Sequence, residues 1–382
     1  VFDQEMERIF LTNWNFVCHE SEIPEAGDYR TATVAGQAIV VCRNPDGRIN
    51  AFYNTCRHRG AQVVPEGAGN ARAFTCMYHL WTYDLDGRLL SVPGEEAYQT
   101  SYAEGGLAKC DTGLVPVRVD SMHRLVFVCF DHDVPGLADY LGDIADVLAV
   151  PFGDPELKVW VDREKTMRAN WKMQPENSRD GYHAPLLHRR LRHVSPPRPY
   201  RLTGNGHAVQ VLGLDYEDGL KHNTVDKELA DNPELTRAFM SHPLPGISRD
   251  APAYVVTLFP DSLFLVRYST LLIERQIPIG PDETVIEFRA GGIEGDDAAV
   301  SAVRDAHWNV YWSDGEGNLA EDWAAYEAQQ RGVGNAGMRY SLLARGEPAT
   351  EGLRGDDNRI RSFWQEWRRH MGCDTNAPPD DR

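Results

Sequence analysis

Cys56-Arg-His58 and, seventeen residues later, Cys76-Met-Tyr-His79 decide what this chain folds around. Two thiols and two imidazoles in so short a span form a metal-binding set, and two chemistries compete for it. A tetrahedral zinc site usually pairs like with like, as C-x₂₋₄-C and H-x₃₋₅-H. Here each pair mixes one Cys with one His, as C-x-H and C-x₂-H. That pairing suits a two-iron, two-sulfide cluster with both thiolates on one iron and both imidazoles on the other. Two hairpin loops, each offering one thiolate and one imidazole, clamp such a cluster from opposite sides. Gly60, Gly67 and Gly69 allow the tight backbone this needs.

Around these loops, residues 27–130 read as short β-rich runs broken by turns. Gln37–Cys42, Asn50–Tyr53 and Arg124–Phe130 are separated by breakers such as Asn44-Pro-Asp-Gly47 and Asp84-Leu-Asp-Gly87. Residues 3–14 read as a short acidic amphipathic helix carrying Met6, Ile9 and Phe10. After Pro151, strands are expected at Tyr254–Phe259, Leu263–Ile273 and Thr284–Ala290, and helices near 297–312, 319–331 and 357–370. Separate runs of strands and helices indicate an α+β class with an antiparallel sheet. The expected domains are an N-terminal helix packing on the catalytic domain (1–26), a β domain (27–140), a catalytic domain (141–372) and a frayed tail (373–382).

With 382 residues, 39 Lys plus Arg and 57 Asp plus Glu, the chain carries a formal net charge of −18. That balance argues against a nucleic-acid backbone or an anionic membrane surface as partner. The longest apolar run, Leu125–Phe130, is far below the ~20 residues of a spanning helix. The acidic N-terminus has no apolar signal core and no initiator Met, which reads as a trimmed cytoplasmic protein. Seven cysteines in so long a chain are too sparse for a secreted disulfide framework. Cys42 and Cys129 lie in apolar runs and read as buried free thiols. With two of the seven assigned to the cluster, five remain as free thiols.

A second constellation runs Glu176-Asn-Ser-Arg-Asp180-Gly-Tyr-His183-Ala-Pro-Leu-Leu-His188. Pro175 suits a first helical turn, and Asp180 and His183 are then i, i+3 neighbours on one face. His188, five residues beyond His183, falls ~140° off that face in a regular helix. Pro185 between them breaks or kinks the helix and swings His188 back. Two histidines with one added acid would make the 2-His-1-carboxylate triad of mononuclear Fe(II) oxygen chemistry.

Together these motifs resemble the large (α) subunit of Rieske non-haem iron aromatic-ring-hydroxylating oxygenases, over nearly the whole chain. The resemblance implies an all-β Rieske [2Fe–2S] domain inserted near the N-terminus and a helix-grip (START-like) catalytic domain. It implies cluster ligation by Cys56, His58, Cys76 and His79, and mononuclear Fe(II) held by His183, His188 and a third ligand on a downstream helix. In Glu321-Asp322…Gln330-Arg-Gly332 the resemblance assigns that role to Asp322, with Glu321 as competitor. Asp180 resembles the aspartate that bridges His79 to His183 between neighbouring subunits, and Asn177 a residue near the iron. Expected partners are O₂, an aromatic substrate, a ferredoxin and/or flavin reductase, and further subunits in a homotrimer or an α3β3 assembly with a small β subunit. The chain departs from the family's common Cys-Pro-Tyr-His-Gly-Trp at Met77 and Leu80, and from Phe-Pro-Asn at Asp261.

The chain carries no flavin or nicotinamide motif, so electrons must come from a separate NAD(P)H-dependent reductase. The expected reaction is hydroxylation or dihydroxylation of an arene or aromatic acid. O- or N-demethylation or attack on a quaternary amine would use the same ligands. A Rieske electron carrier without oxygenase activity is the distant alternative. For an apolar substrate pocket, Leu187, Phe259 and Phe264 are candidate lining residues, and Arg267 is a candidate partner for an aromatic carboxylate.

Overall fold

The computed structural model describes residues 1–65, 67–98, 111–188, 199–211, 232–248, 254–313, 317–338, 340–353 and 355–373. Cys110 and the tail beyond Cys373 lie outside them. The chain divides into two units, Phe10–Leu137 and Val1–Ile9 with Ala138–Arg382.

In the first unit, antiparallel strands Ile49–Tyr53, Gln37–Arg43, Asp28–Val34 and Ala68–Asn70 form one sheet in that order. A three-stranded meander, Phe74–Thr75, Thr82–Tyr83 and Leu89–Ser91, forms a second. Between them sits a core that includes Val40, Cys42, Phe52, Phe74, Trp81 and Tyr83. A third sheet pairs Asn15–His19 with Leu125–Cys129, which in turn pairs with Arg118–Met122. That pairing moves the boundary read from sequence: residues 10–26 join the β unit, and the expected helix over 3–14 stops at Phe10. A strand partner more than a hundred residues downstream leaves no local trace. Cys42 and Cys129 are buried and unbridged.

The second unit is built on one antiparallel sheet of eight strands. Their order is Leu157–Met167, Glu283–Ile293, Leu271–Gly280, Ser262–Val266, Tyr254–Leu258, Ala208–Val211, Pro199–Leu202 and Glu351–Leu353. The single strand expected over Leu263–Ile273 is two strands joined by a turn in which Arg267 N donates to Thr270 O at 2.8 Å. Arg-Tyr-Ser-Thr lacks the Gly or Pro that marks such turns. Helices Ala298–Trp312 and Asn318–Val333 lay Trp308, Tyr311, Trp323 and Tyr326 onto Phe288 and Met167. Each fully buried large side chain of this kind contributes about 1.5–3 kcal/mol. Asp297 caps the first of these helices by accepting from Ala299 N and Val300 N. Among the described residues no helix is long and apolar enough to cross a membrane.

The N-terminal helix Phe2–Glu5 is tied down by one buried carboxylate. Glu5 is fully buried and accepts from Trp171 Nε1 (3.0 Å), Lys172 Nζ (2.6 Å) and Trp367 Nε1 (2.9 Å). It joins the chain start, the segment before residue 173 and the C-terminal helix Asn358–Met371. Replacing Glu5 by Ala leaves the Lys172 charge buried without its partner, so we expect a loss of about 3–5 kcal/mol in urea unfolding. A loss under about 1 kcal/mol would show that the carboxylate is not what holds these segments.

Candidate metal centres and the cavity between helices and sheet

Two loops in the β unit share one backbone pattern. Cys56 N donates to Ala61 O (2.8 Å) and Gly60 N to Cys56 O (2.9 Å); Cys76 N donates to Trp81 O (2.9 Å) and Leu80 N to Cys76 O (2.9 Å). Each loop turns through a left-handed residue, Gly60 at φ +77° and Leu80 at φ +58°. Glycine adopts that conformation freely, whereas a leucine there is uncommon and strained. Met77, Tyr78 and Leu80 on the same loop are exposed, so the departures at Met77 and Leu80 put apolar side chains on the rim of this site.

The loops bring Cys56, His58, Cys76 and His79 together. The two cysteines are buried with their thiols side by side, and the rings of His58 and His79 lie 4.4 Å apart between centroids. Burial, and then the neighbouring Cys56, pushes the Cys76 thiol up. Nδ1 of His58 is buried without a hydrogen-bond partner, while its Nε2 meets Tyr98 Oη at 3.4 Å. An imidazole with its outer nitrogen engaged and its inner one orphaned beside two buried thiols fits a metal cluster in the gap. Sequence reading passed over Tyr83. Its hydroxyl lies 3.3 Å from Cys56 Sγ and accepts from Arg57 N at 3.1 Å, so its proton faces the sulfur.

In the second unit the helix Met173–Arg179 stops at Asp180, whose backbone is extended. Asp180 Oδ1 accepts from Tyr182 N at 2.7 Å, an Asx turn that ends the helix. The break expected at Pro185 therefore falls five residues earlier. Pro185 sits in the first turn of the short helix Ala184–Leu187, where a missing N–H costs nothing. His183 and His188 flank that helix as its N-cap and C-cap.

Both imidazoles turn one nitrogen toward Asp322 and the other away. His183 Nε2 lies 3.4 Å and His188 Nε2 3.5 Å from Asp322 Oδ1. On the outer side, His183 Nδ1 faces Asp180 Oδ2 at 3.4 Å and His188 Nδ1 faces Glu321 Oε2 at 3.1 Å. Donor atoms of His183, His188 and Asp322 all lie within 4.8 Å of one another. At bond lengths of ~2.1 Å, adjacent ligands on a divalent first-row ion stand ~3 Å apart, so this set fits one with little movement. Glu321 faces the outer nitrogen of His188. Asn177 Nδ2 donates to Asp322 Oδ1 at 3.1 Å, and Tyr326 Oη donates to Asn177 Oδ1 at 3.4 Å. Burial works against a proton on His183, but Asp180 and Asp322 outweigh it and raise the imidazole to about 9. Burial holds His188 below its usual value. The carboxylates around the two imidazoles make this a place that favours positive charge.

A cavity of about 140 Å³ opens from these three residues along the sheet. Its floor follows the strand register. Leu263 and Leu265 line it from one strand and Arg267 from the turn just after it, Leu272 and Glu274 from the next strand, with Leu265 opposite Leu272 and Leu263 opposite Glu274. Strand side chains alternate faces, so Phe264 points the other way, where it packs edge-on against Phe152. Phe259 is buried between Phe363 and His370. Among the described residues neither phenylalanine lines the cavity, nor does Leu187; Arg267 does. Sequence reading did not single out Gln174 or Glu274, since one polar residue in a strand carries no periodic signal. Burial pushes Glu274 up to about 8, against the hydrogen bond from Gln174 and with the help of the Asp322 charge.

The comparisons with known proteins agree with this architecture. Residues 13–106 match the Rieske [2Fe-2S] domain, and residues 152–372 match the ring hydroxylating alpha subunit (catalytic domain). The chain is 32% identical to 2-aminobenzenesulfonate 2,3-dioxygenase subunit alpha of Alcaligenes sp, over 98% of this chain and 92% of the relative. It is 31% identical to the anthranilate 1,2-dioxygenase large subunit of Burkholderia cepacia, over 97% and 91%. Among solved structures, naphthalene 1,2-dioxygenase with indole in its active site superposes with a TM-score of 0.77 at 27% identity, over 97% of this chain and 89% of that one.

If Asp322 supplies the carboxylate, Asp322→Ala should lose the mononuclear metal while keeping the visible spectrum of the cluster, read as a fall of about one iron per chain. Full iron content in that variant would transfer the role to Glu321.

Proposed function

Because the chain belongs to the family of ring-hydroxylating oxygenase alpha subunits with an N-terminal Rieske domain, we propose that its mononuclear iron is held by His183, His188 and Asp322 and its [2Fe–2S] cluster by Cys56, His58, Cys76 and His79. The protein is the terminal oxygenase component of a multicomponent system that hydroxylates aromatic rings with O₂. Its electrons come from a reductase and ferredoxin. When bound, the cluster supplies single electrons and the iron supplies the redox centre that meets O₂.

The chain's own residues hold this chemistry in place. Asp180 and Glu321 orient the two imidazoles through their outer nitrogens and keep their inner nitrogens free of protons for the metal, a common device around ligand histidines. Asn177, itself held by Tyr326, orients the Asp322 carboxylate. Leu263, Leu265 and Leu272 form an apolar floor that excludes water and accepts a ring face. Asp180 is the positioning residue that joins His183 to the His79 imidazole of a neighbouring copy, within a homotrimer or an α3β3 assembly. The resemblance in motif carries that reading, and the carboxylate of Asp180 beside His183 supports it.

The observation that carries the functional reading is the His183–His188–Asp322 group at the mouth of an apolar cavity. The two relatives named above act on benzene rings that bear a sulfonate or a carboxylate, which supports an aromatic acid as substrate; demethylation and amine oxidation have no comparable support. The test is turnover of an arene and aromatic-acid panel under ¹⁸O₂ with a surrogate ferredoxin and reductase. We expect about three irons and two sulfides per chain and a cis-dihydrodiol carrying both labelled atoms. A product with one labelled atom reassigns the protein to monooxygenation, and two irons with no product would make it an electron carrier. Asp180→Asn should retain both centres and lose about 100-fold in coupled turnover; unchanged turnover would remove Asp180 from the electron path.

A further inference from the structure

Among the described residues two arginines line the cavity, and they differ in what holds them. Arg359 donates to Gln210 Oε1 at 2.7 Å and shares the charge field of Asp180. Arg267 has no carboxylate partner among the described residues. Its Nε is buried without a hydrogen bond, and its guanidinium carbon stands 4.3 Å over the ring of Tyr311. The nearby His307 is buried and held neutral, down to about 3, so it supplies no counter-charge.

The position of Arg267 along the sheet gives this free cation a direction. Gln174 donates to Glu274 and Asn177 to Asp322 from the same helix, so Glu274 marks the end of the cavity nearest His183, His188 and Asp322. Glu274 pairs across the sheet with Leu263, and Arg267 lies four residues beyond Leu263, in the turn directly after that strand's last residue Val266. At about 3.3 Å per residue the backbone positions are ~13 Å apart. Leu265, Leu272 and Val255 fill the interval, with Val255 and Leu272 each opposite Leu265. The cavity thus has a polar end beside His183, His188 and Asp322, an apolar floor, and a cation at the other end.

We propose that Arg267 is the specificity-determining residue that receives the anionic substituent of an aromatic acid and so directs the opposite edge of the ring toward His183, His188 and Asp322. A carboxylate or sulfonate would give the stranded Nε–H its acceptor, and a planar guanidinium braced on an aromatic ring suits a two-oxygen anion. A neutral arene would leave that buried donor unpaired, which penalises it. This inference rests on the reading of the triad as the oxidising end.

The experiment pairs benzoate with benzamide and 2-naphthoate with naphthalene. Turnover is measured on the holoenzyme with a surrogate reductase, and Kd on the oxidised resting enzyme by tryptophan fluorescence. Wild type should favour each acid by at least about tenfold in kcat/KM. Arg267→Met should raise KM and Kd for the acids about 10- to 100-fold, the range of one charge-assisted hydrogen bond, and collapse the acid-to-neutral ratio. Arg267→Lys should restore part of it. Wild-type mononuclear iron content in both variants, beside an intact cluster absorbance, shows that the unit carrying Arg267 folds. Unchanged benzoate binding in Arg267→Met, or a wild type that prefers the neutral member of each pair, overturns the proposal. If the acids bind through Arg267 but no ring is oxidised, the oxygenase reading falls while the anion site stands.

Discussion

One oxygen of Asp322 stands 3.4 Å from an imidazole nitrogen of His183 and 3.5 Å from one of His188, and the second unit is arranged around keeping those three groups converged. Three side chains that converge from two segments tolerate little error if they are to share one metal ion, because a group misplaced by an ångström no longer binds it. The chain removes the slack from outside. Glu321 bonds the far side of the His188 ring, Asp180 sets its charge 3.4 Å from the far side of His183, Asn177 holds the Asp322 carboxylate, and Tyr326 holds Asn177. Asn177 and Asp180 sit on the helix Met173–Arg179 and its cap, and Glu321 and Tyr326 on the helix that carries Asp322, so precision at the site follows from how these helices pack against the sheet.

The same arrangement sets the electrostatics. Carboxylates gather around two imidazoles in a partly buried place, and the mutual repulsion is relieved by positive charge, whether a proton on His183 or a metal ion. Glu274 lies within that negative field and inside the core, and both effects favour its neutral form. Polarity then falls away along the sheet to leucines and rises again at Arg267. A substrate entering this cavity meets a pattern set by strand register at Leu263 and Leu265, which share a face through the two-residue period of the strand, and by the turn after it, which carries Arg267.

The mixed Cys–His spacing was legible because both loops are local: each pair spans four residues at most, and the pairing pattern alone separates a two-iron cluster from zinc. His183 and His188 were legible as a pair, although the helix breaks at Asp180, through its Asx turn, and not at the proline. The cavity lining was not legible. Phe259 and Phe264 are aromatic and strand-borne, but composition does not reveal which face of a strand is turned inward, and both face packed core. The start of the β unit at Phe10 was hidden for a similar reason, since Asn15–His19 is paired with residues 125–128.

Residue chemistry at short spacing therefore carried the identity of the metal centres, the two-part organisation and the α+β class, because thiolate, imidazole and carboxylate preferences hold in any fold. Tertiary structure alone decided that Asp322, more than 130 residues beyond His188, meets both imidazoles through one oxygen, and that Glu321 beside it faces outward. It also decided that Arg267 lines the cavity with no carboxylate to pair it among the described residues. Those outcomes depend on helix phase and sheet register, which are set when the helices pack on the sheet, and neither is encoded within any one segment.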